Sequence, residues 1–352
     1  MRKFLTDLMS KHPIEVDNLQ QIIDSFPNVT VTVLGDMVAD EFIFGEISRV
    51  SREAPVLILK RRDRKVIPGG GANAVNNLAE LGVKVLPVGI VGNDEPGRLL
   101  LNCLREKNVV IDGIFKDKQY KTVTKTRILA GMAHTARQQV VRVDSEPEGE
   151  PNTEVKRNLV RAAREFVCTS NAILISDYGY GAATPALWDA IRGEKKQKKV
   201  PAVLDSRYRL LEYSGMTAAT PNEPEVEQAL AMEIGQDWSR LCKAGKQIIS
   251  RMKLQSLIVT RGRHGMVTFT KKQMPIDIPI FGSDEVADVT GAGDTVIATF
   301  TAALAVGASS EQAAHLANYA GGIVVMKRGT ATVSREELSW AIHQSSSATK
   351  SH

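Results

Sequence analysis

The chain has 352 residues, 43% hydrophobic and 24% charged, with 45 Lys and Arg against 40 Asp and Glu and a formal net charge of +5. That composition excludes a disordered chain, and the length suits one large α/β domain or two smaller ones. Acidic and basic residues are interspersed, so there is no basic stripe for nucleic acid, and no apolar run is long enough to span a bilayer.

Residues 1–27 read as one or two short amphipathic helices broken around Pro13, with Ile14, Leu19, Ile22, Ile23 and Phe26 as a packing stripe. They form a helical extension over 1–28, charged throughout and without a signal-peptide core, so the expectation is a soluble, cytoplasmic protein. "VTVTVLGD" (29–36) is a β-branched run that delivers Asp36 at the C-terminal end of a buried strand. Ligands of open α/β sheets bind at that end.

Residues 41–67 have short β-prone pieces with Gly and Pro and no helical period. "PGGGANAVNNLAELG" (68–82) is a glycine turn entering a helix, "VKVLPVGIVGND" (83–94) a strand, and "EPGRLLLNCLREKNV" a helix. Residues 121–144 alternate polar and apolar side chains as a half-exposed hairpin does, and with 41–67 they form a small β-lid.

A regular alternation follows: helix 153–168, strand 172–178, helix 184–193, strands 202–206 and 218–222, helices 223–232 and 238–251, and strand 256–262. "KKQKK" (195–199) reads as a solvated turn. Helices 294–306, 310–326 and 334–344 close a single domain over 29–344, and 345–352 reads as a flexible tail. The fold class is α/β, a doubly wound, mostly parallel sheet flanked by helices, with the β-lid. Cys103, Cys168 and Cys242 lack metal or redox spacing and read as reduced, mostly buried thiols.

"DVTGAGDTV" (288–296) places Asp294 behind Gly291, Ala292 and Gly293 at a helix start. Amides at such a start face an anion, and the carboxylate can take a proton from an attacking hydroxyl. That division of labour suits phosphoryl transfer to an alcohol; the plainer alternative is an aspartate that caps the helix. No GxxxxGK[ST], no GxGxxG and no protein-kinase motif occurs.

The pairing of "PGGGANAVNNLAELG" with "DVTGAGDTV", plus "TPNEPE" and "VTRGRHG" between them, resembles the ribokinase-like (PfkB-type) carbohydrate kinases from about residue 29 to 340. Within that family, "LGDMVADEFIFGEISRVSREAPV", "LISDYGYG", "DVTGAGDTVIA" and "ANYAGGIVVMKRGTATVS" are similar to the kinase domain acting on D-glycero-β-D-manno-heptose 7-phosphate in lipopolysaccharide core assembly. The sequence departs from that pattern at Tyr180, where the resemblance implies a lysine after "DY".

The resemblance implies ATP and Mg²⁺, with Asp294 as general base and the 291–293 amides as the anion hole. Asp36, Asp40, Gly70, Gly71 and Asn73 would hold sugar hydroxyls, with Asp177 a further candidate. Asn222 and Glu225 would organise Mg²⁺ through water; Thr260, Arg261, Gly262 and Gly265 would lie by the nucleotide and Asn318 by the adenine. Asp288, Thr290 and Gly329 would hold a monovalent cation such as K⁺. A substrate already bearing a phosphate needs fixed positive charge, and the lid offers Arg49, Arg52, Arg127, Arg137 and Arg142. The lid's alternation also suits a homodimer. The expectation is a sugar kinase for the heptose 7-phosphate at its anomeric hydroxyl; the alternatives are a kinase for ribose, fructose or a fructose phosphate, or a catalytically silent sugar- or nucleotide-binding protein.

Overall fold

A computed structural model describes residues 15–131, 137–198, 200–271, 273–282, 289–327 and 329–349. Residues 1–14, Asp288 and the end of the chain from 350, all named above, lie outside them.

The main sheet has nine strands in the order β13-β12-β11-β10-β9-β8-β1-β4-β5. Its central members are β1 (Thr30–Gly35), β4 (Lys84–Gly92), β8 (Ala172–Asp177) and β9 (Ala202–Ser206), joined by β10 (Ala218–Ala219) and β11 (Ser256–Thr260), all parallel. Their β-branched and aliphatic runs are buried on both faces, as helices on either side require. From β1 the chain winds outward to β4 and β5 (Ile114–Asp117), then returns to β8 and winds the other way. This reversal opens a crevice at the carboxyl ends of β1 and β8.

The doubly wound class stands as expected, with three strands the alternation does not show. From Gly89 to Gly92, β4 pairs with a short parallel strand, β5, at one edge. At the other, β12 (Met266–Thr270) and β13 (Ile276–Ile278) return antiparallel without an intervening helix. Gly265 makes that return possible: its φ is +76°, and a Cβ there would sit 2.1 Å from the carbonyl oxygen of Ile278.

A second sheet runs β3-β2-β6-β7, from β2 (Met37–Val50), β3 (Leu57–Gly70), β6 (Val123–Gly131) and β7 (Gln138–Ser145). Two antiparallel hairpins are joined by parallel pairing of β2 with β6, which sets Asp40 beside Lys125 and Phe42 beside Arg127. Only Asp36 separates β2 from β1, and β3 leads directly into helix Gly71–Glu80. The lid is therefore a continuation of the crevice wall.

Helix Ala292–Ala305 lies against β1, β8 and β9 and is buried without interruption from Asp294 to Ala303. It has no polar face because helix Ser310–Val325 covers its other side. At the N-terminal side, helix Val16–Asp24 buries Leu19 and Ile23 and meets the last helix through Gln20 and Ser339. Two expectations are corrected here. The last helix, Arg335–Thr349, runs through most of the stretch read as a tail. Cys168 is exposed and Cys103 and Cys242 are half-buried, so the thiols sit nearer the surface than their residue type predicts.

Candidate active site

The crevice begins with two aspartates, both read above as sugar contacts, whose oxygens are bonded to groups of the protein itself. Asp36 is fully buried. Its Oδ2 accepts from the backbone N–H of Tyr178 (2.8 Å) and Tyr180 (3.0 Å), and its Oδ1 from Ala182 (2.9 Å) and Ala183 (3.3 Å). Burial pushes its pKa up to about 6 against the pull of those amides. Asp177 accepts from Ser206 Oγ, the Tyr213 hydroxyl, the Gly179 amide and both arms of the Arg209 guanidinium. Both carboxylates are committed to holding the loop after β8. Asp36 holds that loop from inside, whereas Asp177, bound to the same loop, also lines the cavity that Gly293 opens onto.

What that loop positions is Tyr178. Its hydroxyl donates to Asp294 Oδ1 at 2.8 Å, while Asn73 Nδ2 donates to Asp294 Oδ2 at 2.9 Å. The Asn73 amide is itself oriented, because its Oδ1 accepts from Asn77 Nδ2 (3.1 Å), and Asn77 Oδ1 accepts from Thr295 (2.9 Å). Asp294 is thus held from helix Gly71–Glu80 on one side and from the loop after β8 on the other. Asp294 is 4% exposed, and burial lifts its pKa to about 6 although both donors pull it down. A carboxylate with a pKa so close to neutrality is a better proton acceptor than an exposed one.

Gly291 precedes the helix with φ +80°, where a Cβ would come within 2.6 Å of Asn73 Nδ2. The Ala292 N–H, one of the three amides expected to face an anion, closes a turn onto the Val289 carbonyl (3.3 Å). Nothing lies within 4 Å of a Cβ built on Gly293. That open space is a cavity of about 430 Å³ shared with Tyr178, Asp205, Arg207, Asn222, Glu225 and Thr260.

On the acceptor side, Gly70 (φ +51°) lets the chain turn from β3 into helix Gly71–Glu80, and Gly71 packs its Cα against Gly35. A side chain on Gly70 would reach within 3.4 Å of the Tyr178 ring. Asp40 is buried on β2 and ion-paired with Arg127 at 2.6 Å. The other lid arginines do not converge on it: Arg142 pairs with Asp144, exposed Arg137 stacks over Phe44 (5.3 Å), and Arg49 and Arg52 lie exposed at the far end of β2. Lys125, which the arginine count passes over, is the buried cation of the lid, with Nζ 5.2 Å from the Tyr178 ring centroid and 5.9 Å from that of Tyr180. Burial pushes its ammonium pKa below the ordinary lysine value.

On the nucleotide side, Asn222 and Glu225 form a reciprocal capping box, each accepting from the other's backbone N–H at 2.9 Å. The cap engages Glu225 Oε2, and Glu225 lines the cavity, where Asp205 at the end of β9 also lies. Burial raises the pKa of both carboxylates, and their mutual repulsion raises Asp205 further. Two crowded carboxylates in one cavity are the oxygen donors a hard divalent cation neutralises, so the residues fit Mg²⁺. Arg261 is taken by Glu223 (2.7 Å), Thr260 bridges to Asn222, and Gly262 makes a positive-φ turn. Asn318 donates to the Pro279 carbonyl at 2.8 Å, beside the Phe281–Tyr319 edge contact.

Sequence reasoning missed Tyr178, Asp205 and Lys125. Tyr178 and Asp205 stand at the carboxyl ends of central parallel strands, a positional signal readable from the strand pattern. Lys125 lies two residues before Arg127 and hence on the same face of β6.

Comparison with known proteins places the geometry in context. A family model described as pfkB family carbohydrate kinase matches residues 30–337. Among curated relatives, the bifunctional protein HldE of Geobacter metallireducens is 39% identical over 326 residues, and that of Geobacter sulfurreducens 36%. These alignments take in 92% of this chain but 65% of each relative, so the chain spans about two thirds of their length. Among solved structures, Arabidopsis thaliana ribokinase complexed with ribose and ATP superposes with a TM-score of 0.69 at 19% identity, covering 89% of this chain and 98% of that one. Escherichia coli phosphofructokinase-2 in complex with substrates and products gives 0.71 at 19%, covering 90% and 99%.

Proposed function

Since the chain belongs to the pfkB family of carbohydrate kinases and is an ATP-dependent sugar kinase, we propose that its acceptor is D-glycero-β-D-manno-heptose 7-phosphate, taken at the anomeric hydroxyl. The observation that carries the chemistry is Asp294, buried, raised in pKa and fixed by Asn73 and Tyr178. Asp294 takes the proton of the acceptor hydroxyl as its oxygen attacks the γ-phosphorus; the new O–P bond forms while the bond to the β-phosphate oxygen breaks, and ADP leaves. Charge on the transferring group is met at the start of helix Ala292–Ala305, where Gly293 keeps the approach open. Glu225 through water, with Asp205, would hold Mg²⁺, which neutralises phosphate charge.

The substrate assignment rests on the similarity of the motif stretches to heptose 7-phosphate kinase domains, on the HldE relatives, and on a lid face that carries Lys125, Arg127 and Arg142. Asp40 and the Gly70–Gly71 turn would meet the sugar hydroxyls. A monovalent cation would bind near Thr290 and Gly329, as the potassium complex of phosphofructokinase-2 makes natural for this fold. The exposed strand β7, with Val140, Val141 and Val143 in solvent, supports a homodimer formed through the lid. A kinase for an unphosphorylated sugar such as ribose or fructose is the second reading, favoured by Tyr180 standing where a lysine is expected.

The test is ADP release with Mg²⁺ and ATP against the heptose 7-phosphate, ribose, fructose and fructose phosphates, with Asp294→Asn in parallel. Selective turnover of the heptose phosphate, lost in the variant, supports the proposal; selective turnover of a different sugar overturns the substrate assignment.

A further inference from the structure

Lys125 is a buried cation that the described chemistry leaves unused. It is 8% exposed, on the lid strand that faces the crevice, and among the described residues it forms no ion pair and no hydrogen bond. A buried ammonium without an acid partner is costly. Its neighbours in the sheet register are acidic, Asp40 on β2 and Asp144 on β7, yet each is already paired with an arginine, Arg127 and Arg142 respectively. The ammonium instead rests over the rings of Tyr178 and Tyr180. Cation–π contact offsets part of its desolvation but leaves its three N–H donors without an oxygen.

We propose that Lys125 is the specificity residue that binds the phosphate the acceptor already carries. The inference rests on the sugar-kinase reading of the Asp294 site and adds to it which side chain tells a sugar phosphate from a sugar. Geometry separates this phosphate from the one in transfer. The Tyr178 hydroxyl bonds Asp294 while the ring of the same residue underlies Lys125, so one tyrosine side chain spans the distance between base and ammonium. The cavity in front of Gly293, where the γ-phosphoryl group belongs, is lined by Asp205, Glu225 and Thr260 and not by Lys125. An acceptor lying along Tyr178 with its hydroxyl at Asp294 directs a remote substituent to the lid. There, Lys125 supplies the missing partner, and Arg142, whose charge also acts on it, a supplementary one.

The experiment compares kcat/KM for pairs of acceptors that differ only in a phosphate: the heptose 7-phosphate and its parent heptose, and fructose 6-phosphate and fructose. Wild type, Lys125→Met and Lys125→Arg are measured, with KM for ATP recorded and folding checked by thermal melting. For a charge-assisted contact to phosphate, the preference for the phosphorylated member falls about tenfold to a hundredfold in Lys125→Met. The loss sits in the acceptor KM, and Lys125→Arg retains part of it. A wild-type preference that survives Lys125→Met overturns the role of Lys125 alone. So does an equal loss on both members of a pair, or a loss expressed in the KM for ATP, which would assign the lysine to the donor phosphates. A wild type that prefers neither phosphorylated sugar overturns the phosphosugar reading and the role of Lys125 together.

Discussion

Asn73 donates to Asp294 across 221 residues of sequence, and the 2.9 Å contact ties the helix after the first glycine turn to the helix after the second. The glycines at 70 and 291 stand on either side of this bond, and Gly291 leaves no room for a side chain against the Asn73 amide. Catalytic geometry here is a property of two helix starts that meet.

The pH dependence follows from that carboxylate. With a pKa near 6, Asp294 loses its capacity as base as pH falls through 6, so kcat/KM for the acceptor has an acid limb there. Asn73 and Tyr178 both favour the charged form. Tyr178→Phe and Asn73→Ala therefore move the limb to higher pH, each by up to about one unit. A pH–rate profile of the three proteins checks this, and a limb that stays in place would separate the donors from the titration.

Asp294 and Asp36 carry similar raised pKa values for opposite structural ends. Ionised Asp294 costs stability: its folded pKa of about 6 lies above the ordinary aspartate value, so stability falls as pH rises from about 4 to 6 and stays lower above that. Asp294→Asn removes up to about 3 kcal/mol of that cost at pH 7.5 and abolishes turnover. Asp36→Asn has the reverse effect, because its amide would aim a donor at backbone N–H groups that need an acceptor. Thermal melting at pH 7.5 should show the first variant stabilised and the second destabilised, by about 1–3 kcal/mol.

Gly291→Ala tests the steric argument. The new methyl meets Asn73 Nδ2 at 2.6 Å and Thr330 Cγ2 at 2.9 Å, in a backbone conformation that alanine adopts poorly. Turnover falls by about a hundredfold or more through displacement of Asn73, while the stability loss stays near 1–2 kcal/mol. Retained turnover would show that the Asn73 contact is dispensable.

Asp205→Asn and Glu225→Gln each remove a carboxylate from the cavity before Gly293. Both raise the Mg²⁺ concentration required for half-maximal activity, by about tenfold. Titration of free Mg²⁺ at saturating ATP measures it. Glu225→Gln preserves the hydrogen-bonding side of the capping box, so its melting temperature changes little.

The glycine turns, Asp294, Asn73 and the strand order around them are legible in the sequence because each obeys a local rule: small residues where the backbone turns, β-branched runs between helices, a carboxylate at a helix start. The functions of Asp36 and Asp177 are not, since a strand-end aspartate looks the same whether it meets a ligand or four loop amides; only the path of residues 178–183 decides. Lys125 is hidden for a related reason. Its importance comes from a parallel pairing of β2 with β6, strands 85 residues apart, that no local pattern encodes. The arginines are the more visible charges, but Arg127 is paired with Asp40 on the neighbouring strand β2 and Arg142 with Asp144 two residues along β7.

The helix that carries Asp294 also sets the order in which the protein can be completed. Strands β1, β8 and β9 are all made by residue 206, yet the helix that lies against them ends at residue 305. During synthesis the centre of the sheet must wait, with one aliphatic face covered only in part by helix Gly71–Glu80, for about a hundred further residues to emerge. Contacts of such long sequence separation form slowly and expose sticky surface in the interval. A nascent chain stalled before residue 292 would hold most of its strands and none of its base, and would be a target for chaperones; quality control and catalytic competence are decided by the docking of the same helix.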